Sequence, residues 1–161
     1  MQRLFAPWRY AYVSGASAVP GCVLCRAAEG GPDTLTLCRT GRAVALLNRF
    51  PYTSGHAMVA PIQHCADFAL VDSETMAEMM AVTQRVVRAL EAVYQPHGFN
   101  LGVNLGEAAG AGITDHLHVH VVPRWRGDTN FMTVAGEVRV LPEDLDRTWA
   151  RLREALGEAH G

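Results

Sequence analysis

Several things are scarce in this sequence, and each shortage narrows what the chain can be. No run approaches the roughly 20 apolar residues that a helix needs to cross a bilayer, and Met1-Gln2-Arg3-Leu4-Phe5-Ala6-Pro7-Trp8-Arg9 lacks the uninterrupted apolar stretch of a signal peptide. A cytoplasmic protein with no membrane partner is therefore expected. Neither sign of charge dominates, with 14 Lys and Arg against 16 Asp and Glu and a net charge of −2. Without a basic field there is no general attraction to a nucleic-acid backbone, although a small anion can still be held locally. Four cysteines in 161 residues are too few for a disulfide scaffold. Internal repeats and low-complexity linkers are absent, so 49% hydrophobic and 19% charged residues fit one domain over residues 1–161.

Against this background one stretch stands out. His116-Leu117-His118-Val119-His120-Val121-Val122-Pro123-Arg124 places three of the seven histidines at every second position. Period-two alternation marks a half-buried strand, with His116, His118 and His120 on one face and Leu117, Val119 and Val121 turned to a core. Pro123 would end the strand, since it has no N–H for a ladder. Side chains two apart on a strand are about 7 Å apart, close enough to surround one phosphate group. A metal-chelating ridge is the competing reading, because imidazole is also the commonest metal ligand.

The rest of the chain reads as support. Residues 1–21 form an irregular aromatic arm, and Cys22-Val23-Leu24-Cys25 has the spacing of a metal knuckle or redox pair, metal being favoured in a reducing compartment. A turn cluster at Glu29-Gly30-Gly31-Pro32-Asp33 leads to strands near Thr34–Arg39 and Ala43–Leu47, joined by Thr40-Gly41-Arg42. A loop from Asn48 to Gly55 precedes a third strand, His56 to Pro61, and sets Asn48 and His56 beside strand ends, where binding groups often sit. From Asp72 to Tyr94 the stripe Met76, Met79/Met80, Thr83, Val86/Val87, Leu90 and Val93 has helical spacing, with Asp72 or Ser73 as cap and Pro96 and Gly98 barring continuation. Its methionines are core residues rather than a cofactor box. A fourth strand, Phe99–Leu105, is followed by Gly106-Glu107-Ala108-Ala109-Gly110-Ala111-Gly112, whose small residues let backbone N–H groups approach an anion. Arg124 and Arg126 end the histidine strand; either could meet a polyphosphate, although solvated arginine is the default. A short strand at Val138–Leu141 and a C-terminal helix over 143–157, starting after Pro142 with the stripe Leu145, Thr148/Trp149, Leu152 and Leu156, complete the chain.

Histidine can act as a nucleophile that divides one displacement into two easier ones. His118, flanked by its own kind, is the nucleophile of choice, with a neighbour hydrogen-bonding a non-bridging phosphoryl oxygen and backbone N–H groups stabilising charge. Proton delivery is open between His120, His56 and solvent.

The segment His116 to Val122 resembles the histidine triad motif, and Asn48 through Pro61 resembles the Asn…Pro…Gly-His-x-x-Val-x-Pro segment of the same superfamily. Asn104-Leu-Gly and Asp115 through Trp125 look like its bacterial diadenosine tetraphosphate phosphorylase/hydrolase branch, over roughly residues 4–156. The resemblance implies an α+β fold: a five-stranded antiparallel sheet with one long helix packed on it and a C-terminal helix, paired as a homodimer. It implies a nucleotide substrate, an adenylylated His118, phosphate contacts from His120 and His56, Asn48 in the nucleoside pocket and Asn104 by the scissile phosphate. One departure is that Ala111-Gly112-Ile113-Thr114-Asp115 replaces the usual Gln-Ser/Thr run, leaving backbone N–H groups from Gly110 to Gly112 in place of a hydroxyl. Relatives also bind one structural zinc ion, and the matching positions are Cys22, Cys25, His64 and His116, a closed Cys2His2 set. No organic cofactor is implied. Cys38 and Cys65 read as small buried hydrophobes, Cys65 being an alternate ligand beside His64.

The reaction expected from the resemblance is phosphorolysis of diadenosine tetraphosphate to ATP and ADP by an ATP adenylyltransferase-like enzyme. Hydrolysis releasing AMP is the alternative, and a uridylyl-type transferase is disfavoured by Leu117 and Val119 as spacers. A non-enzymatic nucleotide-binding protein of the same fold and a plain metal-binding protein are the competing classes.

Overall fold

A computed structural model describes residues 21–31, 34–128 and 143–158. The aromatic arm up to residue 20, Pro32 and Asp33 of the turn cluster, the strand at Val138–Leu141 and Pro142 lie outside the described residues.

The elements run α1 (Val23–Glu29), β1 (Thr36–Arg39), β2 (Ala43–Leu47), β3 (Ala57–Pro61), a 3-10 turn (Phe68–Leu70), α2 (Ser73–Tyr94), β4 (Gly98–Gly102), a second 3-10 turn (Glu107–Ala109), β5 (Val119–Arg124) and α3 (Leu145–Glu158). The strands form one antiparallel sheet in the order β1-β2-β3-β5-β4, so the fifth strand inserts between the third and fourth. This is the α+β architecture expected.

Both faces of the sheet are covered, which is why β2 and β3 read as continuous apolar runs and not as alternations. On one face Ala43, Ala45, Leu47, Ala57, Val59, Val119 and Val121 meet Met79, Val82, Val86, Ala89 and Leu90 of α2 and Leu152 and Leu156 of α3. On the other, Val44, Leu46, Met58 and Ala60 meet Leu24, Ala27 and Ala28 of α1. That second face, where β5 turns its histidines, becomes the site. The helix α1 replaces the simple knuckle read from the sequence; Cys22 is its N-cap residue and Gly30, at φ 76°, ends it in the left-handed conformation.

Asp72 caps α2 by accepting the Thr75 N–H at 2.9 Å. Gln95, at φ 46° and just before Pro96, terminates it. Met79 is fully buried, but Met80 is 44% exposed, because the neighbouring helical position points about 100° away from the core stripe.

Several strand boundaries differ from expectation. β1 starts at Thr36 and not Thr34, since Leu35 takes φ 53° and breaks the extended run. The histidine strand begins at Val119, so His116 and His118 precede the ladder, and β4 correspondingly stops at Gly102 opposite His120 instead of reaching Leu105. Pro123 does not end β5 but pairs with Phe99 inside it. Its carbonyl faces away from β4 and accepts the Thr53 hydroxyl at 2.9 Å, and its missing N–H points the same way, past the end of β3 at Ala57.

Candidate functional site

The histidines occupy different roles because the backbone around each fixes which ring nitrogen carries hydrogen. His118 is 3% exposed, and its Nδ1 lies 2.9 Å from the His116 carbonyl. A carbonyl only accepts, so Nδ1 donates and Nε2 of the neutral ring keeps a lone pair. Burial pushes the His118 pKa below the ordinary histidine value, which keeps that lone pair unprotonated near neutrality.

His56, 1% exposed, accepts the Tyr52 N–H on Nδ1 at 3.0 Å, with the Asn48 amide Nδ2 at 3.5 Å from the same atom. Its Nε2 therefore carries hydrogen and donates to His120 Nδ1 at 3.0 Å. His120 is left with Nε2–H as an outward donor. The His118 and His120 rings meet edge to face with centroids 4.8 Å apart, so the ring that keeps a lone pair neighbours the ring that keeps a donor. Burial, then the neighbouring His118, lowers the His120 pKa to about 4. The expected phosphate contact by His56 is not available in this arrangement, because both of its ring nitrogens are engaged inside the protein. It orients His120.

Asn48 is likewise held: its Oδ1 accepts the Phe50 N–H at 2.9 Å and its backbone N–H donates to the His56 carbonyl at 2.9 Å. Asn104 is half-buried and lies two residues beyond Gly102, where the β4–β5 pairing stops opposite His120. In the glycine-rich loop, the Gly110 N–H donates to the Glu107 carbonyl at 2.9 Å and the Ala111 N–H to the Gly106 carbonyl at 3.3 Å. Gly110 thus serves the turn, at φ 84°, and its N–H is spent there. Arg124 is bound to Asp128 at 2.6 and 2.8 Å and to Asn100 at 2.7 Å, so it is part of the β5 end and not a loose cation.

Cys22, Cys25, His64 and His116 do come together, with their ligand atoms all within 4.8 Å of one another. Cys22 Sγ lies 3.3 Å from His116 Nδ1, and Cys25 Sγ lies 3.2 Å from His64 Nδ1 and 3.5 Å from His116 Nδ1. Sulfur–nitrogen edges of a tetrahedral zinc site are about 3.5 Å, given bonds of about 2.3 Å to S and 2.0–2.1 Å to N. His116 Nε2 donates to the Pro61 carbonyl at 2.9 Å, which leaves Nδ1 as the lone-pair atom facing the sulfurs, the usual arrangement behind a metal-binding histidine. Burial, followed by Cys22, raises the Cys25 pKa to about 11, so a thiolate here requires a cation beside it. The donor set therefore fits a zinc ion. Cys65 stays outside it: half-buried, not fully buried as expected, it donates its thiol to the Asp67 carbonyl at 3.4 Å. Cys38 is also half-buried.

Sequence reasoning missed Tyr52, whose ring centroid is 4.5 Å from that of His56 and 6.1 Å from that of His120. Its place in the loop between Asn48 and His56 was the available signal. The carbonyls of Pro61 and Cys65, which support the histidine segment, carry no side-chain signal.

The model of the HIT domain matches residues 31–127. An AP-4-A phosphorylase of Mycobacterium tuberculosis is 38% identical over 167 aligned positions, covering 94% of this chain and 86% of the relative. An adenosine 5'-monophosphoramidase of Schizosaccharomyces pombe is 28% identical over 103 positions, covering 64% of this chain and 74% of that one. Among solved structures, a zinc-bound histidine triad family protein of Mycobacterium smegmatis superimposes with a TM-score of 0.71 at 30% identity, covering 87% of this chain and 96% of the other. The domain match over most of the described sheet, and the phosphorylase relative aligned along nearly the whole chain, establish that this chain belongs to the HIT domain family.

Proposed function

We propose that the chain is a nucleotide-processing enzyme that cleaves dinucleoside polyphosphates, with diadenosine tetraphosphate and inorganic phosphate yielding ATP and ADP. The observation that carries this reading is the His118 ring, held by the His116 carbonyl so that Nε2 keeps its lone pair beside the His120 N–H donor. The aligned AP-4-A phosphorylase supports the choice of substrate and acceptor.

In the first step His118 Nε2 attacks an α-phosphorus; a P–N bond forms, the bond from that phosphorus to the bridging β-phosphate oxygen breaks, and ATP leaves with the bond's electron pair. His120 Nε2–H donates to a non-bridging oxygen as charge gathers there, with the Gly112 N–H as a further donor. In the second step an oxygen of inorganic phosphate attacks the adenylyl phosphorus, ADP forms, and the electron pair returns to His118 Nε2. Asn48 and Asn104 flank this centre on the nucleoside and phosphate sides. The enzyme is thus ATP adenylyltransferase-like.

The Cys22, Cys25, His64 and His116 set holds one structural zinc ion in this reading, supplying a rigid cross-link and no chemistry on the substrate. We further infer a homodimer, supported by β4 lying at the sheet edge with Leu101 55% exposed, and a cytoplasmic location. Among the described residues no helix is long and apolar enough to cross a membrane.

Incubation with diadenosine tetraphosphate, with and without phosphate, tests the reaction. ADP that appears only with phosphate is expected. AMP formed regardless of phosphate would replace the reading with hydrolysis, and nucleotide binding without turnover would replace it with a binding protein.

A further inference from the structure

The segment that carries His118 has no ladder to hold it. Pairing of β3 with β5 stops at Val59–Val119, and pairing of β4 with β5 stops at Gly102–His120, so among the described residues no strand pairs with residues 116–118 on either side. A nucleophile needs its backbone and rotamer fixed before substrate arrives. Something other than the sheet must do this.

Besides the core seat of Leu117 and the Cys22 and Cys25 sulfurs beside the His116 ring, the hydrogen bonds that hold this segment among the described residues run to one short stretch, residues 61–65. His116 Nε2 donates to the Pro61 carbonyl at 2.9 Å, and the Leu117 N–H donates to the Cys65 carbonyl at 2.7 Å. The His64 ring, next door to Cys65, stands edge-on to the His116 ring with centroids 4.9 Å apart. Two residues of the candidate metal set therefore sit directly against the backbone groups that hold the nucleophile. His64 precedes the carbonyl that receives the Leu117 N–H, and His116 itself owns the carbonyl that receives the His118 Nδ1–H. Cys22 and Cys25 tie this pair of loops to α1, which is anchored on the same sheet face by Leu24, Ala27 and Ala28.

We propose that Cys22, Cys25, His64 and His116, closed by a metal ion, take the place of the missing strand pairing and thereby set the tautomer of His118. His116 is then a positioning residue with two duties: its ring belongs to the metal set and its carbonyl orients the nucleophile. A metal whose only task was to tie down α1 would require no such adjacency. The inference rests on the zinc reading above, and it predicts a local effect of metal removal and not a general loosening.

The test compares protein carrying one zinc ion per chain with the same protein stripped by a chelator and then reloaded. Amide hydrogen exchange at Leu117 and the ring nitrogen NMR signals of His118 are read, together with kcat and KM. On stripping, the Leu117 amide should lose at least about tenfold in protection, His118 should pass from a single Nδ1–H tautomer to a mixture, and kcat should fall about tenfold or more with KM within about twofold. Amides of α2 around Val86 and Leu90 should keep their protection, and reloading should restore the three readings that changed. His64→Ala, at an exposed ring that the core does not need, should reproduce the exchange and tautomer changes even if Cys22→Ser fails to fold.

The exchange and tautomer readings need no substrate, so they stand apart from the identity of the nucleotide. A protein that holds zinc while Leu117 and His118 ignore its removal overturns the positioning role and leaves the zinc reading intact. Loss of α2 protection together with that of Leu117 also overturns it, in favour of a global structural metal. A protein that takes up no zinc overturns both.

Discussion

At the scale of single residues, the division of labour among the histidines comes from backbone acceptors as much as from the rings. Replacing His118 with alanine removes the attacking atom, and formation of both products should fall to background. His120→Ala removes one donor to the developing charge and should lower kcat by about 10²–10³, read as ADP release. Because burial depresses the pKa of both His118 and His120, the acid limb of kcat/KM should lie below the ordinary histidine range. The same depression has a stability sign. The unfolded chain takes up a proton at His120 near its ordinary value of 6.5, whereas the folded chain refuses it until about 4. Stability is therefore complete above about pH 6.5 and declines as the pH falls through that window, so the melting temperature at pH 5 should be lower than at pH 7. The alternation of His116, His118 and His120 was legible in the sequence, as was the Cys22, Cys25, His64 and His116 set once the family resemblance was followed. That His56 works through His120, and that Gly110 spends its N–H on Glu107, was not legible, since both depend on main-chain hydrogen bonds that no side chain announces.

At the scale of elements, α2 and the strands β2 and β3 followed from their periodicity and apolar runs, because local pattern and tertiary burial agree there. Strand ends did not follow, because a strand ends where its neighbour ends: Asn104 continues an extended-looking run but has no partner across from it. The helix α1 escaped notice because its 7 residues are too few to establish a period. The loop before β3 shows how tightly an element can depend on one position. Gly55 has φ 80°, and a Cβ there would come 2.7 Å from Leu90 Cδ2, a fully buried side chain of α2. Gly55→Ala should cost about 1–3 kcal/mol, through both the strained backbone and the clash, and should displace His56 next to it. A lowered denaturation midpoint with a disproportionate loss of kcat would be the expected pair of readings. Removing the α2 cap by Asp72→Ala should cost about 1 kcal/mol with activity unchanged, since the Asp72 side chain is bound to Thr75 and Arg42 at the far end of the helix.

At the scale of the whole molecule, β4 is an edge of the sheet among the described residues, with Leu101 55% exposed on it and Leu105 52% exposed just beyond. Edges of this kind invite pairing, and a lysine is the usual guard against it. In the proposed homodimer, Leu101→Lys should accordingly shift sedimentation from dimer to monomer. The strand order has a consequence in time as well as in space. β1, β2 and β3 can pair as a meander while the chain is still emerging, but β4 has no neighbour until β5, which follows it in sequence, slots in beside β3. His56 and His120 are 64 positions apart and meet only at that moment. Non-local pairing of this kind is slow relative to local hairpins. In refolding, helical signal from α2 should therefore return first and turnover last, so a partly synthesised or partly refolded chain is catalytically silent until its central strand is seated.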